Sequence, residues 1–90
     1  MASESQIKSE IERTAALYSF WMTGLTNEPA HCRIEHGSPK TWYQWHADTE
    51  TAARNIERHF ITKGMKAAPS NPSRADYVYI FRRLDKRQAI

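Results

Sequence analysis

The chain has 90 residues, an aromatic content of three Trp, four Tyr and three Phe, and a formal net charge of +3. This length predicts one domain, residues 1–90, whose thin core relies on large aromatic rings. No apolar run reaches the roughly 18–20 residues that span a bilayer, and the N-terminus lacks a signal-peptide pattern. A single cysteine excludes an internal disulfide, so we expect a cytoplasmic protein. We also expect the ends of the chain, residues 1–2 and 84–90, to fray.

The first two predicted elements are a helix over residues 3–15 and a strand over residues 16–25. Ser3 can cap the helix, and Ile7 and Ile11 fall on one stripe at four-residue spacing. In the segment ALYSFWMTGL, aromatic residues alternate with smaller ones and both faces carry bulk. This pattern is typical of a strand inside a sheet.

A second, short helix is predicted over residues 30–36, because Pro29 suits the first turn of a helix. Cys32 and His36 are four residues apart and share a face of this helix. A metal site needs more ligands than these two. We therefore interpret Cys32 as a small buried side chain and His36 as a surface residue.

The segment KTWYQWH predicts a second strand over residues 40–46. Alternation places Thr41, Tyr43 and Trp45 on one face and Trp42, Gln44 and His46 on the other. One interpretation is a core face with a second face half covered by a helix. The alternative is a platform on which nucleic-acid bases stack.

The longest predicted helix covers residues 47–65, with Asp48 as its cap and Gly64 as its stop. Its apolar face is formed by Ala53, Ile56, Phe60 and Ile61. Glu57 lies on the border of this face. From the residues alone it is a boundary glutamate whose stem packs on the core while its carboxylate stays in water.

Residues 66–75 contain two prolines and are predicted to form a loop, and residues 76–83 are predicted to form the last strand. The predicted order is α-β-α-β-α-β. The predicted fold class is α/β (α+β), with a small three-stranded mixed sheet and helices packed on it.

Residues 19–37, SFWMTGLTNEPAHCRIEHG, resemble the second half of the GIY-YIG nuclease signature. In that signature a strand ends in aromatic-x-Gly, passes through a T-N-[DE]-P turn and enters a helix that ends near E-H. The segment WYQW at 42–45 is similar to the third strand of the family. The segment ARNIERHFI at 53–61 is similar to the helix that carries its catalytic glutamate, so the likeness spans about residues 17–65.

The resemblance implies that Glu57 holds a single Mg²⁺ ion at the scissile phosphate, with water and phosphate completing the metal shell. The tyrosine that activates water falls on Met22, and the arginine that steadies the phosphate falls on Cys32, with Arg33 one residue later. Methionine and cysteine cannot perform these roles. The first signature tripeptide has no counterpart, so we expect the C-terminal strand to take its central place in the sheet.

The leading hypothesis is a GIY-YIG-like domain with a degraded catalytic set that binds DNA or RNA without a cofactor. Its candidate contacts are basic and aromatic: Arg33, Lys40, Trp42, Trp45, Arg54 and Arg58. One alternative is an active nuclease that uses Glu57, Mg²⁺ and Arg33, with Tyr18 or Tyr79 as the phenol. Another is a protein-interaction or dimerisation module, a homodimer, that binds no nucleic acid. None of these involves a membrane.

Overall fold

The computed structural model describes residues 2–15, 17–37, 39–68 and 75–82. Within these residues the elements are α1 (Glu4–Thr14), β1 (Trp21–Thr26), α2 (Pro29–Glu35), β2 (Trp42–His46), α3 (Glu50–Lys63), β3 (Lys66–Ala67) and β4 (Tyr77–Arg82). The mixed α/β class predicted from the sequence is confirmed. None of the helices in the described part of the chain is long and apolar enough to cross a bilayer.

The sheet has four strands in the order β2-β4-β1-β3. β4 runs antiparallel to both β1 and β2, whereas β3 runs parallel to β1. The predicted count of three strands is wrong, because β3 has only two residues and lies in the predicted loop 66–75. Two residues are too few to show an alternating pattern. The C-terminal strand β4 occupies a central position, as expected, and residues 69–74 of the predicted loop lie outside the described residues.

The strand predicted over residues 16–25 begins only at Trp21 and ends at Thr26. The preceding residues Tyr18–Phe20 form a single 3₁₀ turn. The Tyr18 ring packs against Phe60 of α3, with ring centroids 5.6 Å apart. Tyr18 therefore packs on a helix rather than pairing in the sheet, whereas Phe20 is exposed.

The predicted helix 47–65 is shorter in the structure, and Thr49 rather than Asp48 caps it. The Thr49 hydroxyl accepts a hydrogen bond from Ala52 N–H at 3.0 Å. The Asp48 N–H donates instead to the Ala2 carbonyl at 3.0 Å, so Asp48 belongs to the contact with the N-terminal segment. Gly64 ends the helix with φ of 127°, as predicted.

The predicted cap of α1 is confirmed, since the Ser3 hydroxyl accepts from Gln6 N–H at 3.2 Å. Ala2, which lies in the segment predicted to fray, donates its N–H to the His46 carbonyl at 2.9 Å. This bond ties the start of the chain to the end of β2. The remaining predicted frayed ends, residue 1 and residues 84–90, lie outside the described residues, as does residue 83.

Alternation along the strands gives the sheet two different faces. The helix-packed face carries Trp21, Leu25, Val78 and Ile80, which form one buried cluster with Ile7, Ile11, Ala53, Ile56 and Phe60 of α1 and α3. The aromatic face carries Met22, Gly24, Trp42, Tyr79 and Phe81. In the described part of the chain, the seven-residue helix α2 packs on it through the buried Cys32, and Ala68 joins the same cluster.

Candidate functional site

One row of side chains crosses the whole sheet on the aromatic face. Strand register pairs Met22 with Lys66 on one side and with Phe81 on the other, and pairs Phe81 with Trp42. The row spans three inter-strand spacings of about 4.8 Å, roughly 14 Å. Lys66 is exposed at one end, and the exposed Lys40 precedes Trp42 by two residues at the other. Two partly exposed side chains, Met22 and the Trp42 ring, thus lie between two cations, while Phe81 between them is buried.

Trp42 lies in a stack of parallel rings at the β2 end of this row. Its ring centroid is 4.7 Å from that of Tyr79 and 5.6 Å from that of Phe81, with interplanar angles of 11° and 17°. The indole N–H donates to the Gln44 side-chain oxygen at 2.8 Å. Trp42 is half-buried. β2 is an edge strand, so no strand of the described residues covers the indole on its outer side.

His36, at the C-terminal end of α2, closes over the stack. Its Nε2 lies 3.0 Å from the Tyr79 hydroxyl, and its ring centroid lies 4.8 Å from that of Phe81. Burial lowers the pKa of His36 below its ordinary 6.5, an effect that the Glu35 carboxylate partly offsets. The imidazole is therefore uncharged at neutral pH and acts here as an aromatic ring and a hydrogen-bonding partner.

The sequence predicted Cys32 as buried, which is confirmed, but His36 as a surface residue, which is wrong. Its partner Tyr79 is 43 residues away, so nothing near His36 in the sequence signals the contact. Lys66 was missed as a candidate contact for the same kind of reason, since its position depends on the two-residue strand β3.

Arg33, a second basic residue among the predicted contacts, lies near Lys40 at the Trp42 end of the row. Arg33, exposed on α2, donates from Nη2 to the Pro39 carbonyl at 3.0 Å. Lys40 follows Pro39 directly, so both basic residues flank the connection between α2 and β2. The acidic neighbour on this helix, Glu35, lies 3.1 Å from Nε2 of His31.

The structure separates the remaining predicted nucleic-acid contacts from this group. Trp45 belongs to the helix-packed face, where its indole N–H donates to a Glu10 carboxylate oxygen at 2.7 Å. Arg54 and Arg58 lie on α3, and Arg54 forms an ion pair with Glu50 at 2.8 Å. The predicted basic residues are thus divided between the two sides of the sheet.

Glu57 lies on α3, on the same side as Arg54 and Arg58. Burial raises the pKa of its carboxyl above the ordinary 4.5, and the two arginines oppose this effect. Arg33 and Tyr79 belong to the aromatic face, on the opposite side of the sheet. The carboxylate, guanidinium and phenol that the resemblance implies therefore do not meet at one phosphate.

The other candidate phenol, Tyr18, packs on Phe60 and does not join Glu57 to the aromatic face. Among the described residues, no group of three or more His, Cys, Asp or Glu side chains is arranged to hold a metal ion. Because Glu57 and Arg33 lie on opposite sides of the sheet, the residues present do not assemble the catalytic set that the resemblance implies.

Comparisons with known proteins add no relative: no protein-family model, curated protein or solved structure matches the chain. The resemblance to GIY-YIG nucleases thus remains a prediction based on the short motifs alone.

Proposed function

We propose that this chain binds single-stranded nucleic acid on its aromatic face and does not cleave it. The observation that carries this proposal is the row on that face, in which the Trp42 stack lies between Lys66 and Lys40. Aromatic rings beside cations are the combination by which proteins hold unpaired bases and the backbone that joins them.

Each part of the row has a separate role in the proposed complex. The half-buried Trp42 indole offers a base a stacking surface, typically worth about 1–3 kcal/mol per base. Tyr79 and Phe81 support the indole from behind, so little side-chain freedom is lost on binding. Lys40, Lys66 and Arg33 are placed to contact phosphates.

The α3 side of the molecule supports this function less well. Arg54 is already paired with Glu50, and Glu57 adds a second carboxylate beside the arginines. A phosphate approaching Arg58 would meet these acidic groups. The proposed complex therefore uses Arg33, Lys40 and Trp42 from the predicted contacts, together with Lys66.

The test is a titration of fluorescently labelled single-stranded DNA and RNA with the protein at several salt concentrations. Three phosphate contacts predict a slope of about −2 in log K against log salt, at roughly 0.7 per contact. The double variant Lys40→Gln/Lys66→Gln should reduce the slope to about −0.7. The variant Trp42→Leu should weaken binding roughly tenfold or more at every salt concentration.

The matched control is Arg54→Gln/Arg58→Gln, which removes the same charge from the other side of the sheet. We expect it to bind nearly as the wild type does. Absence of binding at low salt would refute the proposal, and equal weakening by both double variants would refute the assignment to the aromatic face. Cleavage of the same oligonucleotides with Mg²⁺ or Mn²⁺, abolished by Glu57→Gln, would refute its non-catalytic part.

A further inference from the structure

The outer edge of β2 carries backbone groups that point away from the sheet. The Thr41 carbonyl accepts from Arg82 N–H, and Ala47 N–H donates to the Asp76 carbonyl, so odd-numbered residues are directed toward the β4 side. In an antiparallel pair the intervening residues direct their N–H and C=O groups the other way. On β2 these are Trp42, Gln44 and His46.

The N-terminal segment covers one end of this edge. Ala2 N–H donates to the His46 carbonyl, and the Ala2 carbonyl accepts from Asp48 N–H. This leaves Trp42 and Gln44, whose backbone groups bond to no residue in the described part of the chain. An edge of this kind is a template for pairing with another strand.

We propose that two copies of this chain pair through their β2 edges as antiparallel strands, with the two-fold axis at Tyr43. Trp42 of each copy then lies opposite Gln44 of the other, which gives four backbone hydrogen bonds. A pairing centred on Gln44 would need the outward groups of His46, and Ala2 already holds its carbonyl. The N-terminal segment therefore selects the register.

The charges and the path of the chain agree with this arrangement. Lys40 is the only residue with a formal charge between Pro39 and Ala47, and in this register the two Lys40 residues lie at opposite ends of the interface. Like charges therefore do not face each other. The chain bends at Lys40 and Thr41, directly before β2, so the paired segment is confined to β2 itself.

The two Tyr43 side chains face each other at the axis, and each is 43 % exposed in the single chain. Pairing covers them. The interface is short, and areas below about 1,200 Å² are typical of weak association, so we expect a dimer that dissociates on dilution.

The pairing has a consequence for the proposed nucleic-acid surface, and this consequence rests on the proposed function. Even-numbered residues lie opposite even-numbered ones, so the aromatic faces of both copies join on one side of an eight-stranded sheet. The two Trp42 residues become diagonal neighbours, about 7–8 Å apart. Each copy then adds an aromatic ring to the site of the other.

The test is sedimentation equilibrium of the full chain without nucleic acid, over a range of protein concentrations. Wild type should show a concentration-dependent dimer. Tyr43→Lys and Tyr43→Glu should each raise the dissociation constant roughly tenfold, because each places like charges directly opposite. An equimolar mixture of the two variants should restore the dimer. The matched control, Ile34→Lys, alters a residue that is 67 % exposed on α2 and should dimerise as wild type does.

Amide hydrogen exchange of the wild type provides a second measurement that needs no variant. The Trp42 and Gln44 amides should become protected as protein concentration rises, whereas those of Tyr43 and Trp45, which face β4, should be protected throughout. A monomer at all concentrations, or Tyr43 variants that dimerise singly, would overturn this proposal. A monomer that still binds nucleic acid would leave the proposed function intact.

Discussion

Replacing Gly24 with alanine tests whether the aromatic face is as tightly packed as the structure shows. A Cβ atom at Gly24 would lie 2.4 Å from the Tyr79 hydroxyl oxygen, 2.6 Å from its Cζ and 3.0 Å from Ala68 Cβ. The Tyr79 ring is fully buried, stacked on Trp42 and bonded to His36, so it cannot move aside without losing these contacts.

Two opposing effects set the magnitude. Alanine in place of a strand glycine normally stabilises by about 0.4–1 kcal/mol, because the unfolded chain has less freedom to lose. Overpacking costs about 1–3 kcal/mol, and separating the buried hydroxyl from His36 adds about 1–3 kcal/mol. We therefore expect Gly24→Ala to lower the free energy of unfolding by about 2–4 kcal/mol.

Urea denaturation of wild type and Gly24→Ala gives this difference. Gly24→Ala should remain costly when it is combined with Tyr79→Phe, because the ring carbon 2.6 Å from the added Cβ is still present. It should become nearly neutral when it is combined with Tyr79→Leu, which removes the ring. A neutral or stabilising Gly24→Ala in the wild-type chain would refute the packing argument. Equal costs in all three backgrounds would show that Tyr79 is not the obstacle.

Two further predictions concern α3. Thr49→Ala should destabilise the protein by about 1 kcal/mol because it removes the cap of α3. The control Asp48→Ala should change stability by less than about 0.5 kcal/mol. Equal effects of the two variants in urea denaturation would contradict the observed cap. The raised pKa of Glu57 means that the folded state holds the proton more tightly than the unfolded state, so stability falls as pH rises from 4.5 through the folded pKa. Glu57→Gln, which cannot titrate, should therefore gain stability relative to wild type over this window, and a difference that is independent of pH would refute the burial of the carboxyl.

Features set by neighbouring residues were the ones that the sequence predicted well. The Ser3 cap, the Gly64 stop and the burial of Cys32 each depend on local patterns. The central position of β4 was expected from the resemblance, and it agrees with the burial of Val78, Tyr79, Ile80 and Phe81, which gives the strand two apolar faces.

Features set by distant contacts were missed. The bond between His36 and Tyr79 and the pairing of Lys66 with Met22 join segments that the sequence keeps far apart. Glu57 and Arg33 each lie on a helix whose apolar face is evident, but local patterns do not tell which side of the sheet a helix covers. The motif resemblance placed both residues in one site, whereas the packing of α2 and α3 places them on opposite sides.

The two faces of the sheet are covered to different extents in the described part of the chain. On the helix-packed face, α1 and α3 cover a mixed aliphatic and aromatic core, and Tyr43 at the β2 edge stays 43 % exposed. On the aromatic face, Tyr79 and Phe81 are buried, whereas Met22, His36 and Trp42 are half-buried. The rings there stack on one another. In the proposed nucleic-acid complex a base covers the ring surface of Trp42, whereas in the proposed dimer a second β2 strand bonds to backbone groups. The two contacts use different groups of the protein. Lys40→Gln/Lys66→Gln should therefore impair nucleic-acid binding but not dimerisation, and Tyr43→Lys should impair dimerisation more than nucleic-acid binding.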